Sequence, residues 1–209
     1  RRQRQMCIRD RTQIIALAAL ALPAFAMAQT APNPNPADVK AGTYSVEPTH
    51  TRILFAVDHM GFTTWYGDFT NAAGTLTLDP KKLSASSFDI TVPTDSVTTT
   101  NTTLDGELKS PEWFDAAKYP TIEFKSEKIV RTGKDTALVT GEFTFHGVTK
   151  PLTLKAKFNA GGINPLSKQY TIGFNLSGSL KRSDFNQKTY LPLIGDNVAI
   201  SISAAFVQK

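Results

Sequence analysis

Leu152-Thr-Leu-Lys-Ala-Lys-Phe158 alternates apolar and polar residues without a break: Leu152, Leu154, Ala156 and Phe158 share one face, Thr153, Lys155 and Lys157 the other. Successive side chains of an extended chain point to opposite sides, so this pattern predicts a strand with one dry and one wet face. The same rhythm spreads outward in both directions. Ala137, Val139, Phe143 and Phe145 alternate with Thr140, Glu142 and Thr144, and Ile122 and Phe124 with Glu123 and Lys125. Further upstream, Ile53, Phe55 and Val57 share a face, as do Phe88, Ile90 and Val92, with Thr75 to Leu78 between them. Downstream, Ile172, Phe174, Leu176 and Leu180 form one face, and Val198, Ile200, Ile202, Ala204 and Phe206 the last. Turn chemistry punctuates these runs at Thr132-Gly133-Lys134, His146-Gly147, Gly161-Gly162 and Gly195-Asp196.

The pattern predicts an all-β domain of about eight long antiparallel strands, closed as a barrel wide enough for one slender ligand. A sandwich is the alternative architecture, and it would fill its core with side chains. One stretch breaks the period. From Thr102 to Phe114, Leu104, Leu108 and Trp113 fall at helical spacing, and Ser110-Pro111 ends the run, which predicts a short helical insertion.

The ends of the chain read differently from its middle. Residues 1–11 resemble a translated sequencing adapter, which places the true start upstream of Thr12 out of reach. Residues 12–28 read as a signal peptide: Ile14 to Phe25 is apolar, too short for a membrane span of about 20 residues, and is followed by Ala26-Met27-Ala28. Export to the periplasm is the expected destination. Residues 29–41 are Pro-rich and predict an extended tether outside the fold; residues 42–209 are the barrel.

From Gln29 onward the chain has 18 Lys and Arg against 17 Asp and Glu, a net charge of +1, so most of the overall +5 belongs to the N-terminal segment and no nucleic-acid footprint remains. The single cysteine, Cys7, falls in the adapter-like stretch, which removes disulfide and thiol chemistry from the domain. His50, His59 and His146 are far apart and match no metal-ligand spacing, so neither a metal nor a cofactor is expected. No G-x-S-x-G elbow or phosphate loop is present.

The candidate binding residues are the inward-facing strand residues Phe55, Val57, Phe143, Phe145, Phe174, Leu176 and Phe206. A second group, Phe62, Trp65, Phe69, Leu104, Leu108, Trp113 and Phe114, is placed on loops and a helix over a barrel mouth. Each phenylalanine alone is as well explained by core packing; their number favours an apolar, aromatic-lined site. The segments from Gly61 to Gly74 and Thr98 to Ser110 are expected to form a mobile mouth.

Arg182 continues the inward parity of Leu180, so its guanidinium is expected either to donate to a ligand head group or to pair with Asp184 or another carboxylate. His59 shares the face of Phe55 and Val57 and is a second head-group candidate. His50 is expected before a strand, in a turn or at the mouth, and His146 in a turn.

Taken together, the stretches Tyr44 to His50, Phe55 to Gly61, Gly67-Asp-Phe69, Leu108 to Phe124, Gly141 to Leu154 and Lys181-Arg-Ser-Asp-Phe185 resemble the YceI-like family, in order and over nearly the whole domain. The resemblance implies a lipocalin-like barrel, without the Gly-x-Trp motif of ordinary lipocalins, that holds an isoprenoid quinone or other polyisoprenoid in the periplasm. It also implies transient membrane contact and a homodimer. The helical insertion departs from the family's frequent Arg-Asp-x-His-Leu: here it is Leu104-Asp-Gly-Glu-Leu108, which favours a neutral head group over a pyrophosphate.

At roughly 0.8 kcal/mol per buried methylene, a tail of about forty carbons grosses on the order of 30 kcal/mol, beyond the roughly 20 at which affinities saturate. Release, not capture, is then the difficulty. The expected function is transport or storage of such a lipid by a non-enzymatic protein. Sequestration of other amphiphiles, or an enzyme using His59, Asp58 and Arg182, are the alternatives.

Overall fold

The computed structural model describes residues 31–209. The adapter-like stretch and the signal peptide therefore lie outside the described residues. Among the described residues the strands are β1 (Gly42–His59), β2 (Thr63–Phe69), β3 (Ala73–Leu78), β4 (Ser87–Pro93), β5 (Thr121–Arg131), β6 (Thr136–Phe145), β7 (Val148–Ile163), β8 (Tyr170–Lys181) and β9 (Ile194–Gln208), with one α-helix, α1 (Thr102–Lys109).

Eight strands form the ring β1-β3-β4-β5-β6-β7-β8-β9, and β9 returns to pair with β1. All pairings are antiparallel. Closure leaves the ring without free edges and settles the choice between barrel and sandwich.

The long β1 changes neighbour halfway. Gly42–Ser45 pairs with β3, whereas Ile53–His59 pairs with β2. Between them the register with β9 slips from Glu47 opposite Ala205 to Arg52 opposite Ser203. Glu47 tidies this excursion, accepting from His50 N at 2.8 Å, while Thr51 Oγ1 donates to the Glu47 carbonyl at 2.8 Å. His50 Nδ1 lies 2.5 Å from the same carboxylate, so this residue, expected ahead of a strand, instead lies within β1 at its register slip.

The segment expected to form loops, Gly61 to Gly74, is largely strand. Trp65 and Phe69 sit on β2, paired across β1 with Val57 and Ile53. Alternation was masked because Gly67 takes the inward position between them: a Cβ there would lie 2.3 Å from the Phe55 ring. Two expected turns also move. Gly161-Gly162 lies within β7, paired with Ile172 and Thr171, and the turn falls at residues 164–169. Gly195-Asp196 opens β9, and the preceding connection spans residues 186–193. By contrast, His146 (φ 49°) and Gly147 (φ 74°) form the two-residue hairpin between Phe145 and Val148.

Helix α1 starts where chemistry dictates. The Asn101 side chain accepts from Thr103 N at 3.1 Å and Leu104 N at 3.2 Å, filling the open donors of the first turn. Ser110, held extended before Pro111, stops it. Leu108 is its buried residue, packed with Phe69, Val97, Ile122, Phe145 and Phe185 beneath the upper end of the barrel. The lower core gathers Tyr44, Leu76, Phe124, Val139, Leu154, Phe158, Ile172 and Phe206.

The expected tether is not free of the fold. Asn33 exchanges both backbone hydrogen bonds with Gly161, at 2.8 and 2.9 Å, and Val39 is buried in the lower core. Proline removes donors but leaves Asn33 and Val39 able to dock, so the described part of this segment packs along β7.

Candidate functional site

The inward faces of the strands do not meet at the centre. They enclose a cavity of about 640 Å³ whose wall draws on both ends of the barrel, from Met60 and Tyr190 at one end to Pro80 and Leu83 at the other. Period-two alternation explains this directly: each strand turns every second residue to the interior, and in this chain those residues are overwhelmingly carbon.

The structure places every sequence-derived candidate but one on this wall. Phe55, Val57 and His59 reach it from β1, Trp65 and Phe69 from β2, and Leu104 and Leu108 from α1, with Trp113 and Phe114 just beyond the helix. Phe143 and Phe145 (β6), Phe174 and Leu176 (β8), Arg182 and Phe206 complete the set. Phe62 is the exception. It sits at the tip of the β1–β2 hairpin, 86% exposed, because the turn that carries it points out of the barrel.

The upper wall is an aromatic network. Phe69 lies 5.8 Å from Phe114, Phe114 meets Phe145 edge-on at 5.3 Å, and Phe185 meets Phe143 edge-on at 5.3 Å. Such pairs each add about 0.5–1.5 kcal/mol beyond burial.

Arg182 corrects the sequence reading. Its side chain is buried, and four of its five N–H donors go to backbone: Nε to Gly195 O (2.8 Å), Nη1 to Gln187 O (3.0 Å), and Nη2 to Thr189 O (2.9 Å) and Ile194 O (2.8 Å). Asp184 is not its partner and instead accepts from Lys150 Nζ at 2.9 Å. Burial draws the Arg182 pKa down, and the charge of Asp196 opposes that. The guanidinium, 5.9 Å from the Trp113 ring, is thus a knot that ties the β8–β9 connection to the barrel end.

Asp196 supports the same connection. Burial raises its pKa, but hydrogen bonds from Ser183 N (2.9 Å) and Ser183 Oγ (2.8 Å), aided by the Lys181 and Arg182 charges, outweigh burial and hold it below the usual carboxylate range. For Asp105, on α1, the hydrogen bond from Thr99 Oγ1 at 2.7 Å is the largest of several contacts that lower its pKa.

Asp58 and His59 do not form an acid–base couple. The Asp58 carboxylate accepts from Gly61 N at 2.9 Å in the hairpin turn, while His59 packs its ring 5.6 Å from Trp65. Among the described residues, no three His, Cys, Asp or Glu side chains gather where a metal ion could be shared.

Sequence reasoning missed Gln187 and Tyr190, both on the wall. They lie in an irregular connection, where no periodicity marks a direction. It also left Leu152, Leu154 and Phe158 out of the site, although their parity already assigned them inward.

A closed antiparallel ring around one elongated apolar cavity defines a lipocalin-like barrel. The YceI-like domain matches residues 44–206, and the chain belongs to the YceI-like family. It is 37% identical to the YceI protein of Escherichia coli O6:H1 over 163 residues, covering 78% of this chain and 84% of that protein. Among solved structures it is similar to the Campylobacter jejuni YceI protein, with 28% identity, a TM-score of 0.62, and coverage of 73% of this chain and 90% of that one. A polyisoprenoid binding domain from Saccharophagus degradans aligns with a TM-score of 0.64 over 81% of this chain and all of that one, at 15% identity, a likeness of fold alone.

Proposed function

We propose that this chain is an exported carrier that holds the tail of a polyisoprenoid lipid or isoprenoid quinone inside the barrel for transport or storage. The observation that carries this reading is the elongated cavity, walled by carbon from the β1–β2 hairpin to the turn after β3. A barrel of this size usually fills with side chains or takes one ligand; here the aromatics line the space rather than occupy it. The polyisoprenoid-binding relative of the same fold, and the signal-like run at residues 14–28, support the tail and the export.

Loading and release are by transient contact with a bilayer. Met60, Phe62, Tyr190 and Leu193 are exposed around one end of the cavity, and Met60 N donates to Leu193 O at 2.8 Å, joining the two apolar tips. Phe62→Asp is expected to slow transfer of lipid from vesicles several-fold and to leave equilibrium affinity unchanged. Equal transfer rates in the two proteins would remove the rim from the mechanism.

The two tryptophans, Trp65 and Trp113, both line the cavity, so intrinsic fluorescence reports directly on its contents. Titration with a long-tailed quinone is expected to quench both and to saturate at one per barrel. No quenching at excess quinone would remove the quinone from the carrier reading, no uptake of a prenyl alcohol either would defeat that reading, and consumption of the added compound would favour an enzyme.

A further inference from the structure

Among the described residues, three buried side-chain polar atoms lack a hydrogen-bond partner: Trp65 Nε1, His146 Nδ1 and Gln187 Oε1. His146 lies off the cavity, 4.6 Å from the Tyr119 ring. Trp65 and Gln187 both line it.

Gln187 is only 2% exposed. Its Nε2 donates to Trp113 O at 2.7 Å, which fixes the orientation of the amide, because a carbonyl can only accept. Gln187 Oε1 is therefore a buried acceptor with nothing to accept. The Trp65 indole is the reverse, a donor only.

Both groups belong to one end of the cavity. The Trp65 ring packs on His59, and His59 registers with Ile194 across the β1–β9 ladder. The Ile194 carbonyl accepts from Arg182, whose other arm holds the Gln187 carbonyl.

We infer that this end is a head-group site for a ligand whose polar end donates as well as accepts a hydrogen bond, a prenyl alcohol or a hydroquinone. The inference rests on the carrier reading and names the head group. A quinone offers only acceptors: it can take the Trp65 N–H but brings no proton to Gln187 Oε1. A pyrophosphate brings negative charge to a cavity that Glu107 also lines, and Arg182, the cation at this end, is already committed to four carbonyls. A hydroxyl carries both the proton that Gln187 Oε1 lacks and the lone pair that the Trp65 indole lacks.

The test compares a prenyl alcohol with its own methyl ether, which keeps the tail and the acceptor and loses only the donated proton. A tail-matched hydroquinone and quinone form a second pair, and together the two pairs separate the two sources of the hydroxyl. Binding is read by tryptophan fluorescence and confirmed by competition with a labelled lipid. The wild-type protein is expected to bind each hydroxyl-bearing ligand about tenfold more tightly than its partner. In Gln187→Met that preference falls to within about twofold. Trp65→Phe weakens alcohol and ether by the same factor, because both can accept from the indole.

Equal affinity of the wild type for both members of both pairs overturns the inference and leaves the carrier reading standing. A preference that survives in Gln187→Met also overturns it. Binding of none of the four compounds overturns the inference and the carrier reading together. The wild-type comparison decides by itself if the variant does not fold.

Discussion

Replacing Arg182 by methionine separates two accounts of the same residue. Its guanidinium makes four hydrogen bonds of 2.8–3.0 Å to the carbonyls of Gln187, Thr189, Ile194 and Gly195. Bonds to a charged donor contribute roughly 1.5–3 kcal/mol each, so about 6–12 kcal/mol is a ceiling for the set. The desolvation that lowers the Arg182 pKa takes part of this back. Removing one partner from a buried charged arrangement typically costs about 3–5 kcal/mol, because the other groups stay buried and unpaired. That is the expected loss, and it corresponds to a fall in Tm of roughly 6–20 °C for a domain of this size. Arg182→Lys is expected to lose nearly as much, since an ammonium group cannot span four carbonyls arranged around a planar fork.

The assay is thermal and urea unfolding followed by circular dichroism and by tryptophan fluorescence, with lipid exchange measured below the transition. Exchange is expected to accelerate, because the knot closes the connection at the mouth. A loss under about 1 kcal/mol, together with weakened binding of an anionic lipid, would refute this reasoning and restore Arg182 as a head-group ligand.

Three other outcomes follow from the same geometry. Gly106 lies inside α1 with open space where a Cβ would stand, so Gly106→Ala is expected to stabilise by about 0.5–1 kcal/mol. Gly141→Ala, whose Cβ would lie 2.2 Å from the Lys125 carbonyl oxygen, is expected to be severely destabilising; chemical denaturation of both checks the contrast. Phe143→Asp or Phe174→Asp places a charge on the cavity wall and is expected to lower lipid retention at least tenfold while export continues; full retention with a native spectrum would take those rings off the binding surface. The pKa values of Asp105 and Asp196 are lowered in the fold, so each prefers to be ionised there. Their stabilisation is complete above the unfolded value of 3.8 and is lost as pH falls through the lower folded values. Melting temperature is accordingly expected to drop below about pH 4, and Asp196→Asn to flatten that drop; an equal slope in the variant would exclude Asp196 as a source.

The strands were legible because burial on one face imposes a two-residue period, and Leu152 to Phe158 carries that period without interruption. The helix was legible from Leu104 and Leu108 and from the Ser110-Pro111 stop. What escaped depends on contacts between distant segments. The strand carrying Trp65 and Phe69 was hidden by Gly67, which is small because the Phe55 ring crosses it, a fact of packing rather than of local pattern. Gly161 and Gly162 resemble a turn in sequence, but they continue β7 beside the docked Asn33. Arg182 was correctly directed inward by parity. Its role was not readable, because its partners are carbonyls, which every residue type supplies equally. Gln187 lay beyond reach for the same reason: nothing in an irregular loop marks which side chain turns to the cavity.

The central claim is that the cavity holds one long apolar tail. Its most direct test is mass spectrometry of an organic extract from protein exported by a bacterial host and purified without detergent. One polyprenyl lipid or quinone per barrel is the predicted result. An empty, fully folded barrel that also takes up no added prenyl alcohol, quinone or hydroquinone would contradict the account.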